Sequence, residues 1–280
     1  MFSLNKYKFF HNHFEAVANA TAFFCIFADM ITKKTIKQIA SLRQQKFRKD
    51  LGLFVVEGRK MVQELLRSDF ETIGLYATEA FLNTYPSFSG AEAVSEVQME
   101  QMSALDTPPG ILATVRIPEQ SDIITTSQYI LALDGIANPG NMGTLIRTAE
   151  WFGIHDVVCS HDCVELWNPK TVQATMGSLF RVKTWKTDLT AFLRHAKDEG
   201  KAVYGALLEG ENLFQIKAKP EGILVIGSES HGIRSEVLPC ITHPVTIPRV
   251  GDSATESLNA AVAGGILMAE LTITARNETV

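Results

Sequence analysis

The sequence predicts an α/β protein whose second half forms a mostly parallel sheet, preceded by a smaller α/β unit. Short apolar runs that suit buried strands alternate with segments of helical periodicity. The run Ile223–Ile226 and the first five residues of Tyr129–Asp134 are continuously apolar, as is typical of strands buried on both faces of a sheet. Each of these runs ends in a polar loop that contains glycine. In such sheets ligands bind at the carboxyl ends of the strands.

Composition narrows the class of protein. The 280 residues include 26 lysines and arginines and 31 aspartates and glutamates, for a net charge of −5. This charge argues against a uniformly basic nucleic-acid coat but permits a local basic patch. No run approaches the length of a membrane-spanning helix. The apolar stretch within residues 1–29 is a poor signal peptide, and we expect these residues to be an extension upstream of Met30 that belongs to no domain.

The four cysteines show no disulfide-framework spacing, which indicates reduced thiols in a cytoplasmic protein. The run Cys159-Ser-His161-Asp-Cys163 could be half of a zinc site. Because the sequence offers no second half, we expect no metal.

The first unit, residues 30–118, opens with a basic segment. Apolar residues at Ile36, Ile39 and Leu42 predict a helix, and the stretch from Lys33 to Lys49 contains no acidic residue. Such a helix favours contact with phosphate groups, although a solvated surface is the alternative. Further along this unit we predict strands at 53–57, 73–76, 91–94 and 111–117, and helices at 59–67, 78–82 and 96–102.

A proline-led linker, residues 119–127, joins this unit to a second one at 128–280. There we predict strands at 129–134, 156–159, 181–185, 202–207, 223–226 and 245–247. Helices are predicted at 144–152, 169–176, 189–199, 234–238 and 257–271. The alternation gives a mostly parallel sheet that is covered on both faces.

The loops of the second unit carry the functional signal. The sequence lacks the dinucleotide-binding, P-loop and hydrolase nucleophile-elbow motifs. Their absence argues against a nicotinamide enzyme, an NTPase and a hydrolase with that elbow. The polar loop residues suit a ligand of mixed charge, but each has a structural alternative, because asparagines favour turns and caps and Ser257 suits an N-cap. These residues are Asn138, Asn141, Arg147, Glu229, Ser257 and Asn259.

Taken together, three segments resemble the motifs of the SpoU/TrmH family of RNA ribose methyltransferases, in the SPOUT superfamily. They are Asn138-Pro-Gly-Asn-Met-Gly-Thr-Leu-Ile-Arg147, Ile226-Gly-Ser-Glu-Ser-His-Gly232, and Ile247-Pro248 with Ser257-Leu-Asn259-Ala-Ala. The first unit resembles the ribosomal-protein-like RNA-binding domain that many members carry. The loop between Pro248 and Ser257 looks a couple of residues longer than is usual in the family.

The resemblance implies S-adenosylmethionine as cofactor, a deep trefoil knot, and a homodimer whose active site is completed near the partner. It implies cofactor contacts from Gly227, Ile247 and Leu258, and chemistry at Arg147, Glu229, Ser257 and Asn259. We expect substrate contacts from Asn138 and Asn141, and from Lys33, Lys34 and Lys37.

The predicted reaction is methylation of a ribose 2′-hydroxyl in structured RNA, with ribosomal RNA favoured. The alternatives are a tRNA substrate or a non-catalytic RNA-binding or ribosome-assembly protein. Arg147 could act as a base or as an electrostatic, phosphate-binding group. The small residues from Ala260 to Gly265 could form the dimer face or pack within their own domain.

Overall fold

The computed structural model describes residues 31–120, 122–252 and 255–277, so the predicted extension at residues 1–29 lies outside the described residues. The chain forms two sheets, one of four strands and one of six.

The first unit is a mixed sheet with the strand order β1-β4-β2-β3. Strand β4 pairs antiparallel with both β1 and β2, and β2 pairs parallel with β3. Its elements are α1 Lys33–Ser41, α2 Gln45–Leu51, β1 Leu53–Glu57, α3 Arg59–Leu66, β2 Thr72–Thr78, α4 Glu79–Thr84, β3 Glu92–Val94, α5 Glu96–Met102 and β4 Ile111–Arg116.

The basic segment was predicted as one helix, but it forms two helices, α1 and α2. Thr32 caps α1, and the chain turns after Ser41 before α2 begins at Gln45. The turn allows Leu42 and Arg48 both to lie in the interior, where they are 0 % and 2 % exposed. Gly52 ends α2 at φ +63°, in the left-handed region that glycine adopts most readily.

The second unit is a six-stranded sheet in the order β10-β8-β9-β5-β6-β7, and all five of its strand pairs are parallel. The predicted parallel sheet is therefore confirmed, and separate apolar clusters cover its two faces. Its elements are β5 Tyr129–Asp134, α6 Pro139–Trp151, β6 Asp156–Ser160, α7 Pro169–Ala174, β7 Lys183–Thr187, α8 Leu189–Asp198, β8 Val203–Asn212, β9 Gly222–Gly227, β10 His243–Thr246 and α9 Ala260–Asn277.

Three predictions about the helices of this unit are wrong. Helix α6 begins at Pro139 rather than Thr144, because Asn138 accepts hydrogen bonds from the N–H groups of Gly140 and Asn141 and acts as the N-cap. Ser257 does not cap the last helix. Asn259 does, accepting from the N–H groups of Ala261 and Val262. The helix predicted at 234–238 is a turn followed by a short 3₁₀ helix, Leu238–Cys240.

The two units are joined by a shared core. The ring of Phe54 in β1 lies 4.7 Å from that of Trp167, and the ring of Phe70 lies 5.3 Å from that of Phe180. Arg48 reaches from α2 to Glu165, donating from Nε to both carboxylate oxygens at 3.1 and 3.2 Å. Contacts of this kind hold the first unit against the second instead of leaving it on a free tether.

Candidate active site

Three loops meet at the carboxyl edge of the six-stranded sheet. The first follows β5 and leads into α6, the second follows β9, and the third follows β10 and leads into α9. Because β5 and β9 are hydrogen-bonded neighbours, with Asp134 opposite Gly227, their loops emerge side by side. Helix α9 returns over the sheet and packs against α6, which brings the third loop to the same place.

A chain of side-chain hydrogen bonds connects the three loops. The amide nitrogen of Asn141 donates to the carboxylate of Glu229. The amide nitrogen of Asn259 donates to Oδ1 of Asn141 at 3.1 Å. Glu229 and Asn259 are exposed to solvent and Asn141 is half-buried. Asn141, Glu229 and Asn259 thus lie together within one chain, and their polar atoms face an accessible surface.

The loop that carries Glu229 has a fixed shape. Ser228 and Gly232 exchange two main-chain hydrogen bonds, at 3.0 and 2.9 Å, which close the loop at its base. A Cβ at Gly227 would lie 2.1 Å from the carbonyl carbon of Gly232, so glycine is required there. The carboxylate of Glu229 is therefore presented on a tight, preorganised turn.

A buried ion pair that the sequence did not reveal supports this loop from below. Asp134, at the end of β5, is 0 % exposed. It accepts from the N–H of Arg234 at 2.8 Å and from Nε of the same arginine at 2.7 Å. Hydrogen bonding to Asp134 raises the pKa of Arg234. One carboxylate thereby joins the β5 and β9 loops. The two residues stand 100 positions apart, and neither belongs to a local motif.

Arg147 and Ser257 lie outside the hydrogen-bonded chain. Arg147 is exposed, and no hydrogen bond or ion pair links its guanidinium to any residue of the described ranges. It follows Asn141 by six positions in α6, which places it about 120° around the helix. Ser257 is exposed just before α9. The roles predicted for Arg147 and Ser257 remain predictions.

The residues predicted to bind the cofactor lie around the same cluster. Gly227 ends β9, Ile247 directly follows β10, and Leu258 precedes α9 with 46 % of its surface exposed. No main-chain hydrogen bond within the described ranges involves Ile247 or Leu258. Their main-chain N–H and C=O groups could therefore bond to a ligand. The Arg249 guanidinium donates to the carbonyl of Glu256 across the longer loop.

The basic segment of the first unit divides into two sets. Lys33, Lys34 and Lys37 are exposed on α1, as a role in RNA binding requires. Arg43 instead donates to the carbonyls of Gln101 and Ser103, and Arg48 is buried against Glu165. These two arginines therefore serve the fold: Arg43 bonds within the first unit, and Arg48 links that unit to the second.

Other classes of site have little support in the structure. Within the described part of the chain, no three histidine, cysteine or acidic side chains come together as metal ligands would. Cys159 and Cys163 are both buried, and their hydrogen bond raises the pKa of Cys159 and lowers that of Cys163 to about 7. Among the helices that the structure describes, none is long and apolar enough to cross a membrane.

Solved structures with this architecture define the class of protein. A TrmH-family RNA methyltransferase structure from Porphyromonas gingivalis is 36% identical and superposes with a TM-score of 0.78, covering 86% of this chain and 98% of its own. An AdoMet-bound rRNA methyltransferase from Sinorhizobium meliloti is 25% identical with a TM-score of 0.74, covering 89% and 97%. The fold is therefore that of an RNA methyltransferase.

Two protein-family models match the sequence. The SpoU rRNA Methylase family matches residues 128–269, just over half of the chain, and the MRM3-like substrate binding domain matches residues 33–113. The chain belongs to the SpoU rRNA methylase family. It is similar to the 23S rRNA (guanosine(2553)-2′-O)-methyltransferase RlmP of Bacillus subtilis, with 28% identity over 84% of this chain and 95% of the relative.

Proposed function

We propose that this protein methylates a ribose 2′-hydroxyl of ribosomal RNA in the cytoplasm, with S-adenosylmethionine as methyl donor. The observation that carries the proposal is the chain of hydrogen bonds joining Glu229, Asn141 and Asn259, since it assembles three separate loops at one edge of the sheet. The Bacillus subtilis relative, named for 2′-O-methylation of 23S rRNA, favours ribosomal RNA over tRNA.

The donor, when bound, supplies an electrophilic methyl group on a sulfonium centre. The tight turn after Gly227 and the open main chain at Ile247 and Leu258 would hold it at the carboxyl edge. Holding donor and RNA together converts a two-body encounter into a positioned reaction. Asn141 orients the Glu229 carboxylate, which can accept a hydrogen bond from a ribose hydroxyl. Asn259 fixes the opposite side of the Asn141 amide.

Arg147 stabilises the oxygen that attacks. Its guanidinium has no partner among the described side chains, so it is available for a phosphate or a developing alkoxide. Because a guanidinium stays protonated, electrostatic lowering of the hydroxyl's pKa is the role we favour over that of a base. Lys33, Lys34 and Lys37 bind the RNA backbone from the first unit.

The working form we propose is a homodimer of knotted subunits. Trp151 on α6 is 84 % exposed, and Val262 and Ile273 on α9 are 53 % and 52 % exposed. These apolar side chains lie on two helices that pack against each other, and a second copy would cover them. Arg147 precedes Trp151 by one helical turn, so it would lie at that interface, next to the partner's loops. Helix α9, returning from the sheet edge to α6, would close the trefoil knot.

Methyl transfer to RNA from cells that lack the protein tests the proposal. The wild type should label ribosomal RNA from tritiated S-adenosylmethionine, and 2′-O-methyl mapping should locate a single nucleotide. Arg147→Ala should lower methyl transfer by about a hundredfold or more while calorimetry records unchanged donor binding. Failure of the wild type to label ribosomal RNA would reject the activity. Full activity of Arg147→Ala would reject only the role of that residue.

A further inference from the structure

A cavity lies at the edge of the six-stranded sheet opposite the candidate active site. It has a volume of about 560 Å³ and lies where β5, β8, β9 and β10 begin. These four strands are neighbours in the sheet and run parallel, so their amino ends form one continuous floor. A strand of six residues spans roughly 20 Å, so this cleft is separate from the Asn141 cluster.

The cleft is positively charged in a protein of net charge −5. Lys197, Lys201, Lys219 and His243 line it, against one carboxylate, that of Glu221. Lys197 donates to the carbonyl of Pro239 at 2.6 Å and so also supports the fold.

Two of the lining lysines remain available for a ligand. Lys201 has only a loose contact, 3.4 Å, with Glu199, and both side chains are exposed. The ammonium group of Lys219 makes no hydrogen bond or ion pair within residues 31–120, 122–252 and 255–277, and the residue is exposed at the cleft. Lysines at the end of α8 also offset the partial negative charge of the helix terminus. Compensation of the helix charge does not explain Lys219, because that residue lies outside α8.

The backbone of Lys219 is held in place from both sides. Its N–H donates to the hydroxyl of Tyr204 at 2.8 Å, and its carbonyl accepts from the hydroxyl of Tyr129. Both tyrosines are buried, at 0 % and 4 % exposure. The ring of His243 lies 4.9 Å from that of Tyr204, and its Nδ1 is paired with Thr242 at 2.8 Å. Two buried tyrosines thus fix the main chain from which the Lys219 side chain extends at the cleft.

The lining favours phosphates over nucleobases. The Tyr204 ring is buried and already packed against His243, so the cleft offers no free aromatic face on which a base could stack. Ammonium groups bind phosphates as point charges, without reading sequence. A cleft of this size has room for more than one phosphate.

We propose that this cleft binds the phosphate backbone of the RNA substrate at a second point, distant from the nucleotide that is methylated. The inference rests on the proposed function, because the polyanion that such an enzyme meets is ribosomal RNA. The contact adds affinity for long substrates and takes no part in methyl transfer.

The test compares two pairs of exposed lysines. The variant Lys201→Gln/Lys219→Gln removes two charges from the cleft but leaves Lys197 on Pro239. Lys170→Gln/Lys183→Gln is the matched control, since both residues are exposed and lie outside the cleft. Binding of unmodified ribosomal RNA is measured between 50 and 300 mM salt, beside the shortest fragment that still accepts a methyl group.

For the long RNA, the cleft variant should bind about three- to tenfold more weakly. It should also lose about 1.5 from the slope of log affinity against log salt, from roughly 0.7–0.9 per phosphate contact. The short fragment should bind and react unchanged. An unchanged slope in the cleft variant, or an equal loss in the control, would overturn the proposal. A second arm measures tripolyphosphate binding by calorimetry: binding that the cleft variant loses, with no effect of the lysines on RNA affinity, would overturn the RNA contact and assign the cleft to a small polyphosphate.

The proposed activity can fail independently. If the wild type transfers no methyl group to any ribosomal RNA, the enzyme assignment fails whatever the salt slopes are. If it methylates ribosomal RNA and the cleft lysines prove neutral, only the second contact is lost.

Discussion

Gly227 shows how a single residue fixes the shape of the site. The loop after β9 folds back so far that the main chain of Gly232 occupies the space where a side chain would begin. Ser228 and Gly232 then hold the loop closed by a reciprocal pair of hydrogen bonds. The position of Glu229 therefore depends on the absence of a Cβ atom at Gly227.

Gly227→Ala should consequently separate the β9 loop from its closing contact. We expect donor affinity to fall by about tenfold or more and methyl transfer to fall with it, since a misplacement of about 1 Å can cost a hundredfold in rate. Calorimetry with S-adenosylmethionine and single-turnover methylation measure the two effects. Gly90→Ala is the matched control, because a Cβ at that position meets nothing within 4 Å. Donor affinity equal to that of the wild type in Gly227→Ala would show that the loop can relax, contrary to this expectation.

At the residue scale, sequence patterns identified the side chains that converge but not what supports them. Asn141, Glu229 and Asn259 follow strand ends, and parallel strands bring their carboxyl ends to one edge. Asp134 and Arg234 gave no such signal. An aspartate at a strand end and an arginine in a polar loop are common, and only the folded chain shows that Arg234 pairs with the buried carboxylate of Asp134. The role of Arg147 was predicted by likeness alone, and the fold of one chain does not explain that role.

At the scale of elements, the ends of helices were the least predictable feature. Residues 139–143 contain proline and two glycines and were predicted as loop, yet they form the first turns of α6. Proline suits the first helical position, and Gly143 lies so close to Ala174 that a Cβ would approach it to 2.4 Å. Ser257 and Asn259 were both able to cap α9. Asn259 caps the helix through Oδ1 and reaches Asn141 through Nδ2, so the two ends of one amide serve both contacts.

The packing of α2 on the second unit depends on a buried ion pair, Arg48 with Glu165. Arg48→Met should destabilise the chain by about 3–5 kcal/mol, because it leaves a carboxylate uncompensated in the interface. Arg48→Met combined with Glu165→Leu should recover most of that loss. Urea unfolding of the four members of this double-mutant cycle measures the coupling.

The surface pair Arg116–Glu71 is the control for that cycle. Its side chains are 53% and 60% exposed, so solvent screens their interaction and the corresponding cycle should give little coupling. If the Arg48–Glu165 cycle also gave none, the two units would be held by their aromatic contacts and not by this pair.

At the scale of the whole molecule, the sequence predicted two α/β units and the parallel sheet, since both follow from the alternation of apolar runs. It did not predict their shared core. Val172, Leu179 and Phe180 come from the second unit but pack among the side chains of the first. Residues 119–127 were predicted as a linker, yet the units meet across an aromatic interface. This packing holds the exposed lysines of α1 at a fixed distance from the candidate active site. An RNA that binds both Lys33, Lys34 and Lys37 and the site must span that distance.

The last prediction concerns where Arg147 acts. Within one chain it is exposed and lies about a third of a turn around α6 from Asn141. If it serves the site of the partner, then Arg147→Ala and Glu229→Ala subunits, each inactive alone, complement one another. A mixed dimer contains one site with both residues intact and one site with neither. Random pairing makes half of the dimers mixed, so the mixture should regain about a quarter of the wild-type rate.

Two controls make that result decisive. Mixing Arg147→Ala with Asn259→Ala should give the same recovery, because Asn259 lies on the Glu229 side of the site. Mixing Glu229→Ala with Asn259→Ala should give none, because those residues act together in one chain and each mixed dimer then lacks one of them at either site. If Arg147 acted within its own chain, no mixture would regain activity. Recovery in the first two mixtures but not the third would place the guanidinium across the dimer interface, beside the exposed Trp151.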